Sequence, residues 1–63
     1  MNAAGRRTKI TQLLSKADKP VSATVLAAQC GVSRQIIVGD IALLRAGGLP
    51  VPATPRGYIL ENA

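Results

Sequence analysis

Three adjacent residues, Ser33, Arg34 and Gln35, stand at the start of a segment that continues Ile-Ile-Val-Gly-Asp-Ile-Ala-Leu-Leu-Arg-Ala. Their types suit the reading of nucleic acid. An arginine can donate two parallel hydrogen bonds to guanine, and a glutamine can pair bidentately with adenine. If Ser33 caps a helix, the amides of its first turn also favour an anion such as a phosphate. Val38 and Gly39 lie one turn further along the same segment.

Other basic residues could join them. Arg56 lies between Pro55 and Gly57, as a turn tip would, where arginine is drawn to a phosphate or to the negative minor groove. Arg6, Arg7 and Lys9 cluster near the start of the chain and are candidate phosphate contacts. For each there is a plainer alternative: a helix cap, a solvated first turn, a charged loop or a solvated helix face. Asp40, within the segment that begins at Arg34, would repel phosphates if it faced them. We expect it to turn back and pair with a basic group such as Arg7 or Arg45.

Positioning these groups requires short helices. Ile10, Leu13, Leu14 and Ala17 recur at the spacing of one helix face, with Arg6, Arg7, Lys9, Gln12 and Lys16 largely on the other, so a first helix is predicted over 6–17. Asp18-Lys19-Pro20 interrupts it, because proline disfavours helical geometry in the residue before it. Val21 could add one extended pairing, and Ser22 is a candidate cap. A second helix is predicted over 23–30, carrying Val25, Leu26, Ala27 and Cys30, with Gly31 as a left-handed terminator. A third runs over 34–46 and stops at Gly47-Gly48, with Ile37, Ile41 and Leu44 on one face, flanked by Ile36 and Leu43, and the isoleucine side turned to the core.

Beyond Gly48 the run LPVPATPRGYIL cannot be helical in its first half, because of its prolines. It reads as a hairpin with strands over 49–53 and 58–60 and a Thr54-Pro55-Arg56-Gly57 loop. Pro50 and Pro52 restrict the first strand to irregular or edge pairing. The fold class is therefore mainly α with a small β-hairpin. Three helices and then a hairpin is the order of a winged helix-turn-helix, in which the second helix of the pair enters the major groove.

Composition agrees with an anionic partner. Eight Lys and Arg oppose three Asp and Glu, for a net charge of +5. With no Phe or Trp and one Tyr, the core must be aliphatic, and a chain of 63 residues can form one small domain over 1–63. No apolar run approaches the roughly 18 residues that span a bilayer, and the start of the chain lacks the unbroken apolar stretch of a signal peptide. A cytoplasmic location without membrane attachment is expected, and the single cysteine, a small core residue in this reading, fits that. An enzyme is not expected. There is no histidine, the three carboxylates are scattered, and no metal-ligand cluster or nucleotide-binding glycine loop is present.

The runs VSRQIIVGDIALLRA and ATPRGY carry a resemblance that extends from the first helix to Leu60. The chain resembles the N-terminal winged helix of bacterial niacin-responsive transcriptional repressors, in the broader group of the biotin repressor DNA-binding domain. The resemblance implies repression of NAD-precursor genes by occupation of a double-stranded operator, with Ser33, Arg34, Gln35 and Arg56 on DNA-facing positions. It also implies a C-terminal regulatory domain that binds a metal and nicotinic acid and supports a homodimer. This chain is expected to lack that domain and so to hold no cofactor or metal. One departure stands out: relatives usually place a long polar side chain where this chain has Gly39. The competing expectation is a winged helix used as a protein-interaction module, which would show an exposed apolar patch in place of a basic one.

Overall fold

The computed structural model describes residues 2–61. Its elements are α1 (Ala3–Lys16), α2 (Ala23–Cys30), α3 (Arg34–Ala46), β1 (Ala53–Thr54) and β2 (Gly57–Tyr58), in that order. The fold is a winged helix-turn-helix: three helices followed by an antiparallel two-stranded hairpin, with Ala53 opposite Tyr58 and Thr54 opposite Gly57.

All three helices begin on a polar cap. Asn2 accepts the Gly5 N–H at 2.7 Å, Ser22 accepts that of Val25 at 3.1 Å, and Ser33 accepts that of Ile36 at 3.3 Å. Helix α1 starts at Ala3, ahead of the expected Arg6. Apolar periodicity begins only at Ile10, so it carries no information about the first turn, which the Asn2 cap sets. At the other end Ala17 leaves the helix with an extended backbone, its N–H donating to Leu13 O at 3.2 Å. Helices α2 and α3 have the expected bounds.

The core is aliphatic. Ile10 and Leu14 of α1, Ala23, Leu26 and Ala27 of α2, Ile37 and Ile41 of α3, and Val51 are buried together. Leu13, Leu44, Leu49, Leu60 and Tyr58 pack around them, as does Cys30, expected in the core and half-buried at its edge. The two apolar residues read as flanking the inner face are not buried: Ile36 is 42% exposed and Leu43 59% exposed. Each helical residue turns about 100° from the last, so with burial centred on Ile37 and Ile41, Ile36 lies about 100° from Ile37 and Leu43 about 160° from Ile41, away from the core. Val25, assigned to the apolar pattern of α2, is likewise exposed.

The hairpin is shorter than the predicted 49–53 and 58–60 strands. Pro50 and Pro52 have no N–H to contribute to a ladder, and residues 49–52 are held by separate bonds instead. The Val51 N–H donates to Leu49 O at 3.0 Å, Val51 O accepts Arg45 Nε at 2.8 Å, and Pro50 O accepts the Glu61 N–H at 2.9 Å. Regular pairing starts only at Ala53, which leaves Pro55-Arg56 as the turn. Val21 supplies the expected extra pairing: it exchanges both backbone hydrogen bonds with Tyr58, each 2.8 Å. The hairpin is thereby fastened to the α1–α2 connection.

Candidate nucleic-acid interface

The turn between α2 and α3 is fixed by backbone chemistry. Gly31 ends α2 in the left-handed region at φ 68°, which glycine adopts without steric cost. The Val32 N–H then donates to Ala27 O at 3.0 Å, and its side chain packs against the core. Ser33 is extended and caps α3. Among the described residues, the N–H groups of Arg34 and Gln35 have no backbone partner, as expected in the first turn of any helix.

Arg34, Gln35 and Val38 are all exposed, as are Ser33 and Gly39. The structure thus brings the predicted residues of α3 onto its outer surface, with Ile37 and Ile41 on the inner side. Arg34 makes no ion pair or side-chain hydrogen bond among the described residues.

Arg56 lies at the exposed tip of the hairpin, and the turn that holds it is braced. Thr54 Oγ1 donates to Gly57 O at 2.8 Å and accepts the Arg56 N–H at 3.2 Å. Gly57 has φ 137°, and a Cβ built on it would come within 2.5 Å of the Val21 carbonyl carbon and oxygen. Only a residue without a side chain lets the hairpin lie this close to the α1–α2 connection. A surface depression of about 230 Å³ lies between the hairpin and the helices, bordered by Ser22, Thr24, Arg34, Thr54, Pro55 and Gly57. The start of α3 and the base of the Arg56 turn therefore border one concavity. The Thr54 brace was missed in the sequence, although a threonine two residues ahead of the bonded N–H is the signal of a side-chain turn.

Arg6 and Arg7 are placed differently. Asp40, 3% exposed on α3, accepts hydrogen bonds from Arg6 Nε and, at 3.1 Å, from Arg6 Nη2, and Arg7 Nη1 lies 3.6 Å from Oδ1. Asp40 does turn back from the outer face and pairs with Arg7 as expected, but its principal partner is Arg6, and Arg45 is not among its partners. The Nε of Arg45 is engaged by Val51 O instead. The hydrogen bond from Arg6 holds the Asp40 carboxyl below the usual carboxylate range, against the opposing effect of burial, and the charges of Arg6 and Arg7 add to it. Lys9, on the same helix, donates to Gln29 O at 2.7 Å. These contacts join α1 to the helix-turn-helix pair, and they leave Arg34 and Arg56 as the predicted site arginines without a side-chain partner among the described residues.

No group of three or more His, Cys, Asp or Glu that could hold a metal ion occurs among the described residues. No helix described is long and apolar enough to cross a membrane.

Residues 6–59 match the family described as HTH domain. Over 57 residues, 90% of this chain, the sequence is 49% identical to a protein of Thermotoga maritima named probable transcription repressor NiaR. Over 60 residues, 95% of the chain, it is 40% identical to the transcription repressor NadR of Bacillus subtilis. The chain spans a third of the length of each relative, 33% in both cases.

Proposed function

This chain belongs to the HTH domain family, and from that premise we propose that it is the sequence-specific DNA-binding part of a transcriptional repressor. Two similar relatives carry the names probable transcription repressor NiaR and transcription repressor NadR. In this reading the chain acts by occupying an operator on double-stranded DNA. Arg34 and Gln35 contact base edges in the major groove, Ser33 and the first-turn amides meet a phosphate, and Arg56 follows the adjacent backbone or minor groove.

The observation that carries the proposal is shared placement: the exposed start of α3 and the turn bearing Arg56 border one concavity on a chain of net charge +5. Arg7, half-buried beside Asp40, remains a candidate phosphate contact. Arg6, whose guanidinium is bound to the buried Asp40, serves this surface by fixing α3 against α1 rather than as a direct phosphate contact.

The finer assignment rests on the resemblance to niacin-responsive repressors. The regulated genes would be those of NAD-precursor metabolism, and the site of action cytoplasmic DNA. Nicotinic acid and a metal would bind outside these residues, and homodimerisation would bring two such domains onto a two-fold related operator.

A nuclear magnetic resonance titration of the labelled chain with a short random-sequence duplex tests the surface. The expected result is movement of the amide signals of Ser33, Arg34, Gln35, Val38 and Arg56 ahead of the rest. A second reading, a protein-interaction module, draws on the exposure of Val25, at 49%, and Leu43, at 59%. It is favoured if those arginine and glutamine signals stay still while DNA is added in excess.

A further inference from the structure

The outer side of α3 has a composition that its neighbouring arginines conceal. Gln35, Val38, Gly39 and Ala42 fall at positions i, i+3, i+4 and i+7, one stripe along the helix, and all four are exposed. The stripe carries no charge and a single hydrogen-bonding side chain, that of Gln35. Resting on the proposed DNA-binding role, we propose that this stripe recognises thymine methyl groups, with Val38 as the principal contact, so that each half-site holds A·T pairs beside the bases met by Arg34.

The reason is chemical complementarity. In the major groove each base pair presents hydrogen-bond donors and acceptors, and the one apolar group among them is the C5-methyl of thymine. An isopropyl group laid on polar base edges would strip their water and return no hydrogen bond, which disfavours those sequences. Against a thymine methyl the same group buries apolar surface on both sides. Gln35 fits the same pairs, because its carboxamide matches the N6 and N7 of adenine.

Gly39 supports the inference from the side of shape. Its backbone is helical, and a Cβ added there would meet nothing within 4 Å, so the fold itself does not call for glycine. Glycine in a helix interior is otherwise unfavourable. A bare position between Val38 and Ala42 lets the helix backbone come nearer to the base edges, and a side chain as short as valine reaches only if the backbone is near. Arg34 at one end of the stripe and the net charge of +5 supply the attraction that brings the uncharged surface to the duplex.

The test uses the 63-residue chain and a pool of random-sequence duplexes. Bound duplexes are enriched, and the best one is remade with single thymines replaced by deoxyuridine, which removes the methyl and leaves the pairing intact. The chain is expected to enrich A·T pairs, to lose about fourfold in affinity for the most sensitive methyl, and, as Val38→Ala, to lose nearly all of that sensitivity. An enriched site without thymine, equal binding to thymine and deoxyuridine duplexes, or full methyl sensitivity in Val38→Ala would each overturn the inference and leave the DNA-binding role intact. Failure to enrich any sequence would overturn both.

Discussion

Asp40 of α3 and Arg6 of α1, 34 residues apart in sequence, form a two-point ion pair whose carboxylate is almost wholly removed from solvent. In the proposed complex, a carboxylate in the middle of α3 would oppose DNA binding if it pointed outward. Turned inward, it holds the first helix against the third, and the charge it neutralises belongs to α1. The desolvation of such a pair offsets much of its Coulombic gain, so its clearest consequence is orientation rather than large net stability.

Replacing Asp40 by Asn should therefore weaken the fold and change its pH response. Two charge-assisted hydrogen bonds are degraded, and a cost of about 1–3 kcal/mol is expected, several degrees in Tm. Because the Asp40 pKa is lowered on folding, the unfolded chain takes up its proton at higher pH than the folded one. The stabilisation is thus full above the ordinary carboxylate value, about pH 4, and fades as pH falls below it through the lower folded value. Thermal melts between about pH 2 and pH 7 should show a shallower acid-side fall in Asp40→Asn than in the parent chain.

At Gly57 any side chain meets the backbone of Val21 and Ser22. Gly57→Ala should cost about 2 kcal/mol or more, through a disfavoured backbone angle and a forced separation. The loss should be local. Hydrogen exchange at Tyr58 and Val21, whose N–H groups bond across this junction, is expected to accelerate more than exchange in α3.

Gly39 should behave in the opposite sense. With open space around it and helical geometry, Gly39→Ala is expected to stabilise the chain by about 1 kcal/mol. A rise in Tm of several degrees would check this, and no rise would show that the glycine has a structural role after all.

Much of this arrangement was legible in the residues themselves. Ser22, Gly31 and Ser33 are strong local signals, and they set α2 and α3 at the expected bounds. The start of α1 was not, since a cap at Asn2 precedes the first periodic apolar residue by more than one turn. The sequence places the hairpin loop at Thr54-Pro55-Arg56-Gly57, but Thr54 and Gly57 pair as strand residues and only Pro55-Arg56 turn; strand length depends on which N–H groups find partners, and Pro50 and Pro52 remove two of them. The outer positions of α3 came out as expected. Asp40 pairs with Arg7 as expected, but its principal partner is Arg6, and Arg45 is not a partner; the three arginines are alike in type, and only the packing of α1 on α3 decides which come within reach. The clash that defines Gly57 involves residues far away in sequence and had no local signature.

The central claim is that Arg34 and Arg56 meet one duplex from the same side, one reading bases and the other holding the backbone. Fluorescence anisotropy with an enriched duplex and a random duplex, at several salt concentrations, measures it directly. Arg34→Ala is expected to lower the discrimination between the two by about 1–3 kcal/mol, while Arg56→Ala weakens both alike and reduces the salt dependence. Undiminished discrimination in Arg34→Ala, together with unchanged affinity in Arg56→Ala, would contradict the account.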